Sequence, residues 1–480
     1  MLLALVIFYL LITIAIGLWA ARRVKNSADF AIAGRHLPLA MIVTTTFATW
    51  FGSETVLGIP AKFVQSGLGG VVEDPFGAGT CLILVGLLFA AKLYRMTLLT
   101  IADYYRERYG RQVEVACSLI IMVSYLGWVS AQVTALGLVF HLLSAEAISV
   151  QLGMVIGVVS ILAYTLFGGM WSVAVTDFIQ MIILVVGLSV LAIFAGHQAG
   201  GADKVIEYAV SQQMFQFWPE AGFKEIAFFL AAALTMMLGS IPQQDVFQRV
   251  MSANSVKAAT HGPVIGGLFY ILFAFVPMFL VVSALLIMPE QAQALIQDDP
   301  QKVLPTLVME KMPFVMQILF FGALLSAIKS CASATLLAPS VTFTENIWRQ
   351  FRPHQSDKQE LKAMRVTVLV FSLLVLAYAI SMQGSSIYEM VSGAYQVTLV
   401  GAFVPLAFGL YWPKATTQGA IFAIVLGLLT WLLLLLTPAG EVFPAQLAGV
   451  LASLAGMLIG SLGPQAIRNQ RGAHHRLVGA

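Results

Sequence analysis

From Met312 to Thr344 the chain carries a single charged side chain, Lys329, in the middle of an otherwise apolar run. Runs of this kind recur along the whole length. A helix crosses the hydrocarbon of a bilayer with about 20 apolar residues, and the runs reach that length. A lipid-spanning β-barrel would show alternating segments of about ten residues instead. The chain is therefore read as an all-α integral membrane protein. Composition agrees, with only 10% of 480 residues charged and 59% hydrophobic, against roughly 25% charged in a soluble domain.

Thirteen spans are expected, near 2–21, 38–65, 74–96, 115–141, 150–168, 172–196, 225–248, 262–288, 313–344, 362–382, 386–411, 417–437 and 443–463. The first has no basic residue before it and no small-residue cleavage site after it, so it reads as a retained helix. Of 26 lysines and arginines, twenty fall in loops after odd-numbered spans and in the C-terminal tail, including Arg468, Arg471 and Arg476. Four fall opposite: Lys204, Lys224, Lys302 and Lys311. The positive-inside rule then puts the N-terminus outside and the C-terminus in the cytoplasm of a plasma-membrane protein. The net charge of +3 belongs to this bias, and no nucleic-acid surface is implied. Cys81, Cys117 and Cys331 all lie in apolar runs, which excludes a disulfide framework or a cysteine-rich metal site. No phosphate-cradling loop is present. About 17 residues follow the last span, so no appended soluble domain is expected there. The expected partners are the bilayer and a small solute, with no organic cofactor and no obligatory protein partner.

Two spans are interrupted. Span 2 reads TTTFATWFGSETVLGIPAKF and span 7 reads FFLAAALTMMLGSIPQQDVFQ. Each has Gly-Ser in mid-span with Ile-Pro nearby and polar residues around it. Glycine and proline weaken the helical ladder, and freed backbone groups are tolerated at membrane depth only inside protein or beside a cavity. Spans 2 and 7 are five apart and enter from opposite sides. That spacing makes an inverted repeat, 38–196 against 225–411, within one transporter domain of 1–480, with 1–37 and 412–480 peripheral. Paired interrupted helices point to a central transport site.

Three charges lie deep in the spans: Glu54, Asp177 and Lys329. Each costs on the order of 2.5–3.5 kcal/mol at mid-bilayer, which makes each a site candidate. Lys62 is nearer a span end and can snorkel. Lys329, Ser330 and Ser333 fall on one arc of a helix, and hydroxyls and carbonyls are the ligands a hard monovalent cation takes. His36, His141, His197, His261, His354, His474 and His475 sit in loops or at helix ends without metal spacing, so an enzyme is not expected.

The segment YTLFGGMWSVAVTDFIQ resembles the hallmark of the sodium:solute symporter family, in which Y-T-x-x-G-G-x-x-[AS]-V-x-x-T-D-x-x-Q recurs. DFAIAGRHLP resembles that family's first cytoplasmic loop, SIPQQDVFQRVMSANS its seventh span and the loop after it, and APSVTFTENIW the end of its ninth span. The resemblance runs over essentially the whole chain. It implies a five-plus-five inverted-repeat core and alternating access. It also implies a main sodium site at the carbonyls of Ala48, Phe51 and Ala327 and the side chains of Ser330 and Cys331. A second cation position would use Asp177, Ser330 and Ser333. Cys331 departs from the usual hydroxyl, Ala334 offers no ligand atom to the second position, and Lys329 departs from the usual apolar residue. Lys329 could therefore replace a cation near Asp177 and make coupling proton-dependent or absent, although helical side chains lean toward the N-terminus, here away from Asp177.

For substrate, the family's choline-transporting branch cages a quaternary ammonium with tryptophans through cation–π attraction. Trp50 and Trp128 match two of them, and Gln243 stands at a third. Glu54 and Thr55 occupy the place of a sugar-binding Glu-Gln pair, and Gln244 follows Gln243. The expected function is cation-coupled symport, with sodium the coupling ion and a proton the alternative. The solute is an amino acid, an amine or a sugar acid. A solute sensor without net transport is the competing class.

Overall fold

The computed structural model describes residues 1–352 and 356–467. Arg468, Arg471, Arg476, His354, His474 and His475 lie outside the described residues. Among the described residues there is no β-strand, and one isolated bridge joins Leu37 to Ala253. The first half holds α1 (Leu2–Ala21), α2 (Leu39–Trp50), α3 (Ile59–Ser66), α4 (Leu68–Arg95), α5 (Ile101–Tyr109), α6 (Arg111–Leu143) and α7 (Val150–Gln198). The second holds α8 (Phe223–Gly239), α9 (Gln244–Ser252), α10 (Val256–Ile287), α11 (Phe314–Phe351), α12 (Asp357–Ser381), α13 (Ile387–Tyr411), α14 (Thr417–Leu435) and α15 (Ala445–Leu462). Among the described residues, ten helices are long and apolar enough to cross a membrane, or eleven if the bent pair α8 and α9 is one span.

The thirteen expected segments and these ten helices differ for local reasons. The segments at 150–168 and 172–196 have no loop between them. They form the 49-residue α7, with Gly169 at φ 46°, ψ −137° dividing it. A straight helix of that length would reach about 74 Å, more than twice the roughly 30 Å of hydrocarbon, so the division at Gly169 is what makes two span-length limbs. A Cβ there would stand 2.3 Å from the Phe30 carbonyl oxygen, which explains the second glycine of FGGMW. The segment at 38–65 is not one helix either. α2 ends at Trp50, Phe51 takes φ −85°, ψ 70°, and a π-helical turn at Glu54–Gly58 leads into α3. The segment at 225–248 becomes α8 and α9, bent by 43°. Pro242 in the link has no N–H to give a helix.

The loops resembling family motifs tie these pieces together. Gln248 of α9 donates to the Ala31 carbonyl, and Leu37 exchanges backbone hydrogen bonds with Ser252 and Asn254. Asn346 of α11 donates to Asp103 at 2.7 Å and to Glu114 at 3.0 Å, and accepts from Thr100. In the centre, α11 packs along α7 and α6 and touches α2 and α9, while α1 lies against α7. Small residues permit close approach between membrane helices. A Cβ on Gly267 of α10 would lie 2.6 Å from the Gly79 carbonyl of α4.

Gly169→Ala is expected to cost at least 1–3 kcal/mol, the usual range for a side chain forced into a glycine-only conformation. The fluorescence-detected thermal unfolding midpoint of the purified protein should fall. An unchanged midpoint would mean that the limbs of α7 do not depend on that residue.

Candidate functional site

The interruption of α2 and the bend between α8 and α9 both lie against α6. Helix ends leave carbonyls and amides without helical partners, and polar side chains gather at both breaks. Gln132 of α6 accepts from the Ser53 amide at 2.9 Å and donates to Glu54 Oε2 at 2.5 Å. Trp128 Nε1, one turn away, donates to Glu54 Oε1 at 3.2 Å. At the other break, Asp245 accepts from Trp50 Nε1 at 3.1 Å and from Tyr125 Oη at 2.5 Å, and its own amide donates to Tyr125 Oη at 2.8 Å. Glu54 and Asp245 are both buried.

Aromatic rings stand between these two carboxylates. The Trp50 and Trp128 centroids are 5.9 Å apart, nearly perpendicular. Tyr395 of α13 lies 6.0 Å from Trp50 and 5.3 Å from Trp128, and Tyr125 stacks on Trp128 at 5.9 Å. The Tyr395 hydroxyl is buried without a hydrogen-bond partner. The tryptophan N–H groups are held by carboxylates, Trp50 by Asp245 and Trp128 by Glu54, and the rings pack against one another. Aromatic faces beside anions make a surroundings favourable to an organic cation.

Thr55 lies at the edge of this group, donating to the Trp50 carbonyl and paired with Tyr270 Oη at 2.9 Å. Tyr270 in turn donates to Asp74 at 2.6 Å. Gln243 donates to Ser124 at 2.9 Å, and its Oε1 is buried and unpartnered. Gln244 points elsewhere: its Oε1 accepts from the Ile101 amide and holds the start of α5.

A second cluster surrounds Asp177. Thr45 of α2 donates to Oδ2 and Ser330 of α11 donates to Oδ1, each at 2.5 Å. Ser333 donates back to the Ser330 carbonyl of its own helix at 3.0 Å. Ala48 lies in the last turn of α2 and Phe51 just past its end, while Ala327 lies on α11 one turn before Ser330. The buried Cys331 sulfur is close to Gly52, 2.9 Å from where a Cβ would stand. Arg249 of α9 donates to Thr49 Oγ1 at 2.7 Å and to the Asp245 carbonyl at 3.1 Å, so its charge sits between the two clusters.

Lys329 turns away from both. Nζ donates to Thr13 Oγ1 of α1 at 2.6 Å and lies 5.3 Å from the centre of the Tyr164 ring. Among the described residues no ion pair includes it. One residue of helical rotation, about 100°, separates the Lys329 ammonium on Thr13 from the Ser330 hydroxyl on Asp177.

Sequence reasoning passed over Gln132, Tyr125, Asp245, Arg249, Tyr395 and Thr45. Asp245 and Arg249 stand in the quoted SIPQQDVFQRV, but a span ending at 248 leaves Arg249 in the loop that follows. The other four are common residue types in apolar helices, and nothing in the linear pattern marks them.

Interrupted helices crossing at a buried cluster of carboxylates, hydroxyls and aromatic rings define a membrane transporter rather than an enzyme. The sodium:solute symporter family matches residues 30–427, and the chain belongs to that family. It is 28% identical over 451 residues to the human "High affinity choline transporter 1", covering 89% of this chain and 75% of that protein. It is 26% identical over 465 residues to the "High-affinity proline transporter PutP" of Bacillus subtilis (strain 168), covering 94% and 96%. Its fold is that of a Na+-coupled sialic acid symporter solved in a substrate-bound outward-open state, with a TM-score of 0.81, 20% identity, and 96% and 98% of the two chains covered.

Lys329 supplies a test of these contacts. A hydrogen bond to a charged group contributes about 1.5–3 kcal/mol, and its loss leaves the charge unsatisfied. Thr13→Val should therefore lower unfolding stability by about that amount. Adding Lys329→Met should restore most of it, because the charge goes as well. Equal stabilities for Thr13→Val with and without Lys329→Met would show that the ammonium does not depend on Thr13.

Proposed function

We propose that this protein is a sodium-coupled symporter of a small organic cation, of the amine or quaternary-ammonium class, working by alternating access. The observation that carries the solute class is the Trp50–Trp128–Tyr395 aromatic group held between Glu54 and Asp245. Two buried carboxylates and three ring faces attract a cation and repel the carboxylate of a sugar acid. A zwitterionic amino acid is the nearest competitor, since its ammonium could use Glu54 while its carboxylate would need Arg249. The similarity to choline transporters favours the cation, and the similarity to a proline transporter favours the zwitterion.

The coupling ion is assigned to the meeting of α2 and α11. The carbonyls of Ala48, Phe51 and Ala327 with Ser330 supply oxygens for a main sodium position. Asp177, Thr45 and Ser330 supply them for a second. An ionised carboxylate has about four lone-pair sites, and Asp177 uses two, which leaves it able to take a cation. The thiol of Cys331 is a poor sodium ligand and Ser333 is engaged with its own helix, so Thr45 and backbone oxygens carry more of the coordination. The contact of Lys329 with Thr13 argues against its ammonium replacing sodium beside Asp177. In the mechanism, sodium draws α2 and α11 together, the solute enters between Glu54 and Asp245, and α6 and α13 close over it. We further assign thirteen spans, with 38–196 and 225–411 as inverted repeats around interrupted spans 2 and 7. The lysine- and arginine-rich loops are assigned to the cytoplasm and the protein to the plasma membrane.

Uptake of radiolabelled choline-like amines, amino acids and sugar acids into vesicles, under separate sodium and proton gradients, tests the reading. A cationic amine should accumulate with inward sodium and ignore the proton gradient. Trp50→Ala should weaken its apparent affinity about 2- to 30-fold, the equivalent of ~0.5–2 kcal/mol of cation–π attraction. Glu54→Gln should act in the same direction, and Asp177→Asn should raise the sodium concentration needed. Accumulation driven by protons and abolished by Lys329→Met would overturn the sodium assignment. Binding without accumulation under either gradient would favour a sensor.

A further inference from the structure

We propose that the cavity between the end of α11 and the first turns of α12 binds an anionic phospholipid. It has a volume of about 500 Å³. Its polar end carries Arg352, Lys362 and Gln359, with Trp348 beside them, and its apolar end is formed by Phe343, Val366 and Val370. Among the described residues, no acidic side chain lines it.

The charge of this site is not neutralised by the protein. Among the described residues, neither Arg352 nor Lys362 forms an ion pair. Arg352 instead lies 5.7 Å from the Trp348 ring centre. The carboxylates nearby in sequence are engaged elsewhere. Glu345 pairs with Arg349, Glu360 lies 3.8 Å from the same guanidinium, and Asp357 Oδ1 accepts from the amide and hydroxyl of Ser27. Two uncompensated cations beside a tryptophan at the basic end of a span are what an anionic headgroup at the membrane interface requires.

The apolar end separates a lipid from a soluble anion. Val366 and Val370 are about half exposed, and Leu373 and Leu374 continue the same exposed side of α12 by more than half their surface. Residues spaced by three and four lie on one helical face. An acyl chain entering past Phe343 can follow that face into the hydrocarbon while its phosphate stays with Arg352 and Lys362. A zwitterionic headgroup would bring its own ammonium against these two cations, so phosphatidylglycerol or cardiolipin is the expected class.

The test is lipid retention by the full-length protein. It would be reconstituted in vesicles of phosphatidylcholine with a minor share of phosphatidylglycerol, re-extracted in mild detergent, and its bound lipid quantified by mass spectrometry. Wild type should retain phosphatidylglycerol well above its share of the vesicle. Arg352→Gln combined with Lys362→Gln should lose about 30-fold, as expected for two interfacial charges at about 1 kcal/mol each. Val370→Trp, at a half-exposed position, should fill the cavity and cut retention while leaving the charges in place. This second variant keeps the test decisive if the double variant folds poorly. Unchanged retention in Val370→Trp or in a folded double variant would overturn the proposal. Binding of glycerol 3-phosphate with the same affinity as the lipid, and the same loss on charge removal, would also overturn it in favour of a soluble anion site.

Discussion

Hydrocarbon offers no hydrogen bonds, so each backbone group left without a partner in the span region costs several kcal/mol. That constraint organises the centre of this molecule. Opening α2 at Phe51 and bending the chain between α8 and α9 exposes backbone groups, and side chains from α6 meet them. Gln132 takes the Ser53 amide, and Tyr125 takes the Asp245 amide. The same two side chains also hold the carboxylates of Glu54 and Asp245. The groups that make the breaks tolerable are therefore the groups that hold the two carboxylates.

The buried charges show how unevenly this satisfaction is distributed. A mid-bilayer charge costs about 2.5–3.5 kcal/mol, and a hydrogen bond to it returns about 1.5–3. Glu54, Asp177 and Asp245 each have two or more donors. Lys329 has one hydroxyl acceptor and a ring face. A single such bond with a desolvated cation–π contact of about 2 kcal/mol is enough to offset the cost of the ammonium. It leaves Lys329 tying α1 to the core helices α7 and α11 rather than joining the chemistry at Asp177. Its neighbour Ser330 faces Asp177 from the same helix, so one residue of rotation separates a helix-packing role from the candidate cation position.

Much of the candidate site was legible in advance. Glu54 and Asp177 stood out because a carboxylate in an apolar run is expensive, and Ser330 because it sits beside a lone charge, whereas Trp50 entered through resemblance. Trp128 and the carbonyls of Ala48, Phe51 and Ala327 came only through resemblance. The pairing of Trp128 with Glu54, and of Thr45 with Asp177, joins residues more than seventy and more than a hundred positions apart, and no linear pattern carries that information. Arg249 was hidden by a boundary, since the expected span ends at 248 and a basic residue just beyond a span end reads as a loop charge. Gln244 shows the opposite case. Its place beside Gln243 suggested the pocket, but the start of α9 turns it toward the amide of Ile101.

The amino-acid sequence by itself determined that the chain is helical and membrane-embedded, where its helices weaken, and which charges need explaining. It could do so because span length, glycine, proline and ionisable side chains act locally. The helix count along 150–198 rested on the conformation of Gly169, a residue whose neighbours look helical. Which polar groups meet was decided only by tertiary structure. The direction of Lys329, the partner of Gln244 and the pairing of Trp50 with Asp245 all depend on the rotation and crossing of helices packed from distant parts of the chain. In a medium without water those rotations have little freedom, because a polar group turned the wrong way has nothing else to bond.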